Sequence, residues 1–448
     1  MENAMLQVGF GRRDITPDFS VPLAGYGNTR MRMSQGYVNR IFATCLAFTD
    51  AQDQTMLVYT LDLIVVRKMW CQPVRERVSR LTGIPQENIM LSATHTHSAP
   101  DVLGVLGPED PYFDLYVEQL TLAAQDALAD RKIATATVGR TDVKGMSFVR
   151  HYHMKDGSVA GDNHGDWSVG IKCHTMDPDE QLQAVRFARE DGQDILMVNW
   201  QAHPNLASTG ATESGRLLKP FISADYVGTC RDYIEKKTDC LFAFFQGASG
   251  NLNWWSRIPE EMPTTDVHKY GQQLGDYVLQ AMENMTTVAL GAVQTRAETY
   301  TGRLDHSEDH MVPKAQQVSQ LWQETNDQLQ CIALGRPMGI FSSYHANCII
   351  SRSKMGTSLD TELSAARVGD LGFAFAPYEM FCNNGQFIKE NSPCQVTFVL
   401  ECSNDYVSYI ASKEGFDHGC YEVDSRRFVR GTAEEMADRF VAMLQDMN

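Results

Sequence analysis

Two histidines stand one residue apart in LSATHTHSAPD, residues 91 to 101, where an apolar run gives way to a turn of small residues. Neutral imidazole is a good ligand for a borderline cation such as zinc, and it exchanges protons near neutral pH. On a strand, His95 and His97 at i and i+2 share one face and can meet one cavity at the strand's C-terminal end. A structural polar pair at a strand end has the same spacing. His151 and His153 of HYH repeat that spacing ahead of the turn KDGS, so spacing does not choose between the two pairs. His203 closes DILMVNWQAH just before Pro204, and Glu379 closes FAFAPYE. A carboxylate at the end of an apolar run must be paired, metal-bound or solvated, because burying it bare is costly. In QGASGNLN, residues 246 to 253, small residues let a backbone approach a ligand, but no Lys or Ser/Thr follows in phosphate-loop register. Tyr406, Tyr409 and Tyr421 of SNDYVSYIASKEGFDHGCYE read, by residue type alone, as packing residues.

The elements that must position these residues follow from periodicity. RIFATCLAFTD and QTMLVYTLDLIVV read as paired strands with turn residues Asp50 to Gln54 between them. CQPVRERVSRLTG reads as a helix stopped by Gly83. IMLSATHTHS reads as the next strand, and YFDLYVEQLTLAAQDALADR as an amphipathic helix. The spacing predicts short strands through 133–202 (TATVGRTDV, SFVRHYHM, LQAVRFA, DILMVNWQAH) and helices near 223–237, 266–284 and 313–331. CLFAFFQGASGN reads as a buried strand entering a loop. RVGDLGFAFAP and CQVTFVLECSND add strands, and GTAEEMADRFVAMLQD a closing helix. Strands alternating with helices place the chain in the mixed α/β class.

The chain has 448 residues, 43% of them hydrophobic, enough for a full core. No linker, repeat or low-complexity tract divides it, so residues 1–448 are expected to form one unit. A net charge of −17 repels phosphate backbones and anionic membranes, which argues against a nucleic-acid partner. The start MENAMLQVGFGRRDITP lacks the pattern of a secretion signal, and no stretch approaches the ~18 apolar residues of a spanning helix. Eleven cysteines with no CxxC pair read as reduced thiols in a cytoplasmic protein.

Taken in order, several segments resemble the neutral (alkaline, non-lysosomal) ceramidase family over nearly the whole chain. They are GFGRRDITP with AGYG, RIFATCLAF, SATHTHSAPD, FVRHYHMKDGSV, AHP with ISADYVG, FFQGASGNLN, VGDLGFAFAPYE and SNDYVSYIASKEGFDHGCYE. The resemblance implies two facing, mainly antiparallel sheets flanked by helices in αββα layers. It also implies zinc-dependent cleavage of a linear amide, N-acyl or ceramide-like, by activated water. Position by position, it implies His95, His203, Glu379 and Tyr409 as zinc ligands. His97 and Tyr421 would face the scissile amide, and Arg150 would hold a polar part of a small-molecule substrate. Three departures stand out. The family's serine-bearing GDVSPN reads GNLNWW here, so Asn253 takes the serine position as a candidate oxyanion donor, Asn251 takes the aspartate position, and Ser249 is out of register. PGE has become PYE, placing Tyr378 beside a ligand. The chain stops one helix after Tyr421, so the family's C-terminal immunoglobulin-like domain is expected to be absent. A zinc esterase or phosphoesterase, and a catalytically silent zinc-bound binding protein, are the alternative expectations.

Overall fold

The computed structural model describes residues 6–26, 32–161, 164–212 and 215–447. A nine-stranded sheet holds β1 (Leu6–Asp14), β2 (Phe42–Thr49), β3 (Thr55–Leu61), β4 (Ile89–Ala93), β5 (Lys132–Asp142), β6 (Gln181–Arg189), β7 (Ile195–Trp200), β8 (Leu241–Gln246) and β9 (Thr286–Val288). Its order is β8-β7-β6-β5-β1-β2-β3-β4, with β9 added on β5. The interior pairs are antiparallel, while β3–β4 and β7–β8 at the two edges are parallel. The β2–β3 turn is fixed by the Asp50 carboxylate, which accepts from the backbone N–H of Gln52 and Gln54 at 2.9 and 3.0 Å. A second, four-stranded sheet holds β10 (Val293–Arg303), β11 (Ser358–Val368), β12 (Leu371–Phe375) and β13 (Val396–Leu400).

The sheets face each other across one apolar layer. Val8, Phe48, Val185 and Phe245 of the first meet Phe373, Phe375, Phe398 and Leu400 of the second, all buried. Strands buried on both faces explain why β2, β3 and β7 read as unbroken apolar runs rather than alternating ones. The large sheet's edges curl together: the Thr60 hydroxyl of β3 donates to the Phe244 carbonyl of β8. Buried Asn199 on β7 bridges both sheets, donating to Phe245 O at 3.0 Å and Val399 O at 3.2 Å.

Helices cover both outer faces. Over one half of the large sheet lie α1 (Lys68–Thr82), the parallel crossover between β3 and β4, and α2 (Pro111–Ala129), burying Trp70 and Tyr116 against Leu57 and Tyr59. Here α2 presses so close that a Cβ at Gly9 would lie 1.9 Å from the Ala127 carbonyl oxygen. Over the other half lie α3 (Asp225–Thr238), the crossover between β7 and β8, and α4 (Val267–Met282), with Tyr226 and Tyr270 against Trp200 and Phe244. Between β10 and β11, residues 304–357 form an insertion containing α5 (Val312–Thr325), α6 (Gln328–Gly335) and α7 (Ser343–Arg352). Covering the second sheet are α8 (Cys382–Asn391) and α11 (Thr432–Gln445), whose Met436, Phe440 and Leu444 pack toward Ala365, Ala374 and Val399; the short α9 (Lys413–His418) and α10 (Tyr421–Asp424) lie between them in sequence. The layers are αββα, as the resemblance implies.

Two sequence readings change, and two helices enter without one. The helix over 313–331 is two helices, because Asn326 turns left-handed (φ 52°) and Asp327 caps α6 through the N–H of Leu329 and Gln330. The helices α7 and α8 carry no clear sequence signal. SFVRHYHM is two short strands, Phe148–Val149 and His151–Met154, in separate small sheets that meet at Arg150. No helix among the described residues is long and apolar enough to cross a membrane, and all eleven cysteines are free thiols.

Candidate metal centre

The strand that carries THTH stops at Ala93, so alternation along a strand does not bring the two histidines together. His95 sits in the left-handed region at φ 68°, a conformation that costs a non-glycine residue on the order of 1–3 kcal/mol. The turn is held at every residue. Thr94 N–H donates to Leu61 O at 2.7 Å, His95 N–H to Leu63 O at 2.9 Å, His97 N–H to Pro204 O at 3.0 Å, and the Thr96 hydroxyl to Ser223 O at 2.7 Å. The strained turn swings both rings to one point.

His203 reaches the same point from the loop after β7, and Glu379 and Tyr409 from a two-residue parallel pair at the end of the second sheet. The Nε2 atoms of His95 and His203 lie 3.2 Å apart, and His97 Nε2 is 3.3 Å from that of His95. Glu379 Oε2 is 3.3 Å from Nε2 of both His95 and His203, and Tyr409 Oη is 3.5 Å from His203 Nε2. None of the five residues is more than 7% exposed. The structure thus brings together all four expected ligands and His97.

Hydrogen bonding sets what these atoms offer. His95 Nδ1 lies 2.7 Å from the Ile64 carbonyl and His203 Nδ1 3.0 Å from the Ser249 carbonyl, so each Nδ1 carries the proton and each Nε2 presents its lone pair. Two lone pairs therefore face each other beside Glu379 Oε2, which is buried without a hydrogen-bond donor. That arrangement suits a divalent cation, with backbone carbonyls fixing the tautomers behind it. His95, His97 and His203 form a metal-capable group by geometry alone. Burial drives His97 well below the usual imidazole range, and burial followed by the Arg150 charge takes His203 down to about 4, so both are neutral, the ligand form. Burial lowers His95 too, but Glu379 outweighs it and raises the ring, so without a cation His95 Nε2 holds on to a proton that a bound metal would displace. Burial alone would raise Glu379. His95 and His203 instead hold it well below the carboxylate range. The cluster attracts positive charge.

Around this centre stand the other expected residues. The Arg150 guanidinium lies over the rings of Tyr409 (5.6 Å) and Tyr421 (5.8 Å), donates to Gly250 O at 2.7 Å and pairs with Glu422. Tyr421 packs edge-on against Tyr409 at 5.7 Å. Asn253 is bridged through its backbone to His203, which places the serine-position residue beside a ligand. Asn251 accepts from Cys382 N–H at 2.8 Å and so fixes the start of α8. Tyr378 of PYE points into the core beneath α11. His151 pairs with Glu422 at 2.8 Å, and His153 lies edge-on to His418 at 6.0 Å.

Sequence reasoning missed two supports. Tyr406, read as packing, donates to Glu379 Oε1 at 2.7 Å. Glu401, fully buried, accepts from the Ser249 N–H at 3.1 Å, the Ser249 hydroxyl and the Met380 N–H at 3.0 Å, with its carboxyl pushed up to about 7 by burial. It thereby braces the two loops that carry His203's carbonyl partner and Glu379. A carboxylate at the end of CQVTFVLE was the available signal.

Residues 6–241 match the family described as neutral/alkaline non-lysosomal ceramidase, N-terminal. The chain is 24% identical to the neutral ceramidase of Pseudomonas aeruginosa over 259 residues, covering 55% of this chain and 36% of that protein. It is 24% identical to the neutral ceramidase of Drosophila melanogaster over 249 residues, covering 52% of this chain and 33% of that one. The matched stretch thus spans about a third of these relatives' length. The crystal structure of the Pseudomonas aeruginosa neutral ceramidase superposes with a TM-score of 0.71 at 18% identity, covering 100% of this chain and 75% of that one, a likeness of fold. With more than half of its length matching the family, the chain belongs to the neutral/alkaline non-lysosomal ceramidases.

Proposed function

We propose that this protein is a zinc-dependent hydrolase of linear amides, N-acyl or ceramide-like, with His95, His203, Glu379 and Tyr409 holding the metal. The supporting observation is the convergence of two carbonyl-tethered imidazoles and a donorless carboxylate oxygen on one buried point. The names of the relatives, neutral ceramidases, support the amide. Zinc held there supplies a Lewis acid that polarises a carbonyl and lowers the pKa of water toward about 7.

The chain's own residues do the rest. His97 differs from its two neighbours because its Nδ1 has no partner. Its imidazole is therefore not locked into one tautomer, and it can take a proton at Nε2 and return it. Water adds to the carbonyl carbon, the C–N bond breaks, and the proton released by water passes through His97 to the leaving amine. Arg150, fixed by Glu422 and the Gly250 carbonyl, sets the Tyr409 and Tyr421 rings and holds a polar part of the substrate. The Tyr421 hydroxyl and the Asn253 amide donate to the developing oxyanion. Each such donor is worth about 2.7–4 kcal/mol in the transition state. An amide donor at Asn253 keeps a role for the position that loses its serine.

The test combines metal analysis with a panel of acyl amides, esters and phosphoesters. About one zinc per chain and cleavage of amides are expected. Cleavage of esters or phosphoesters alone would sink the amide reading, and a zinc-loaded protein that cleaves none would be a binding protein.

A further inference from the structure

The paired strands β10 and β11 run together as far as Arg303 and Ser358, where a short turn would join them. The chain instead inserts residues 304–357, whose helix α7 sets Tyr344 beside the site. The Tyr344 ring stacks on Tyr421 with centroids 5.5 Å apart and planes 26° from parallel. Tyr421 packs on Tyr409, whose hydroxyl is 3.5 Å from His203 Nε2. A row of phenol rings thus runs outward from the buried centre, and Tyr344 is its outer member, 38% exposed where the five residues of the centre are at most 7%.

The helix is fixed in place. The Ser342 hydroxyl caps it through the N–H of His345. Arg352 donates to Arg426 O at 2.7 Å and pairs with Glu308. His345 lies 3.5 Å from Asp424 on α10, the helix that begins with Tyr421. Insertion and catalytic tyrosine are therefore held in one register. One face of the Tyr344 ring is covered by Tyr421, and the residue as a whole stays more than a third exposed.

We propose that Tyr344 is a specificity-determining residue, its outward ring face receiving an unbranched apolar chain that leaves the metal centre along the Tyr409–Tyr421–Tyr344 row. The inference deepens the amide-hydrolase reading, on which it rests, by assigning the apolar part of the substrate to one wall. The chain can belong to the acyl or the amine half of the amide.

Binding calorimetry on the zinc-loaded protein tests it, with straight-chain carboxylates from acetate to dodecanoate and straight-chain primary amines over the same lengths. In the wild type, affinity should rise with length in one of the two series, which identifies the half. Tyr344→Ala should weaken the longest member of that series about 10-fold or more and leave the shortest unchanged, while Tyr344→Phe binds as wild type. Absence of length dependence in the wild type overturns the proposal. So does a Tyr344→Ala variant, folded by circular dichroism, that keeps the wild-type slope or loses short and long members equally. Failure of the amide reading shows separately, as no amide product formed by the zinc-loaded wild type.

Discussion

Glu379 shows how much a single side chain depends on its surroundings. One carboxylate oxygen faces the imidazoles and the other accepts from Tyr406, so the phenol decides which oxygen is free to meet a cation. Tyr406→Phe leaves the ring's packing and removes that donor, and loss of such an outer partner lowers metal affinity by about 10–100-fold. Competition with a chromophoric chelator should show this, with Glu379→Gln weaker still. His97 calls for a different experiment. Gly25 has φ 115°, and a Cβ there would lie 2.6 Å from His97 Nδ1. Gly25→Ala should displace the His97 ring, lowering kcat by 10-fold or more on the scale of a lost general base while zinc content stays at the wild-type level. A parallel loss of zinc would make His97 a ligand and remove it from proton transfer. The residue types at His95, His203 and Glu379 marked them as candidates, because polar groups ending apolar runs must have a reason, but the family resemblance, not the residue pattern, singled them out with Tyr409 as ligands. Glu401, a carboxylate closing an apolar strand, carries the same signal, whereas Tyr406 carries none, since a phenol in a loop looks the same whether or not another segment folds against it.

At the scale of elements, sequence periodicity located the long strands and amphipathic helices and failed where tertiary contacts set the geometry. β4 ends two residues before His95, and the convergence of the histidines comes from a strained turn stapled to Leu61, Leu63 and Ser223, contacts no local pattern encodes. The HYH strand has a different use. His151 and Arg150 share Glu422 on α10, joining a small sheet to the segment that carries Tyr421. Burial lowers His151, but Glu422 outweighs it and raises the ring from 6.5 to about 10. Burial raises Glu422, but Arg150 and then His151 take it from 4.5 to about 2. For His151, whose folded value is raised, the stabilisation is full below pH 6.5 and is lost as pH climbs through about 10. For Glu422, whose folded value is depressed, it is full above pH 4.5 and fades as pH falls toward 2. Melting temperature followed by fluorimetry should therefore fall on the alkaline side between these limits. His151→Gln should lower Tm at pH 6 and flatten that alkaline fall. An unchanged slope would show that the pair does not link the two segments.

At the scale of the molecule, the apolar runs made a mixed α/β chain legible and the family resemblance implied two facing sheets, but neither showed how the large sheet curls so that opposite edges meet. That curl makes the centre possible. His95 follows the β3–β4 edge, His203 follows the β7–β8 edge, and Glu379 and Tyr409 close the second sheet. A cation held by these residues cross-links three parts of the fold that otherwise touch through the apolar layer and a few bridges such as Asn199. Metal binding should therefore act as a stability term for the whole protein: a ligand that binds only the folded state at 100 times its Kd adds about 2.7 kcal/mol. Removing zinc with a chelator should lower Tm, and titrating zinc back should restore it in step with occupancy. Phe373→Ala, which opens the layer between the sheets against Phe48 at 6.1 Å, should lose about 3–5 kcal/mol whether or not zinc is present. Glu379→Gln should lose most of the zinc-dependent increment and, without zinc, also the attraction between Glu379 and His95. The two substitutions lie in different parts of the ledger, so their double mutant should be additive in the absence of zinc. If zinc instead stabilises the Glu379→Gln protein as much as the wild type, the ion is bound elsewhere and the convergence of His95, His203, Glu379 and Tyr409 is not its site.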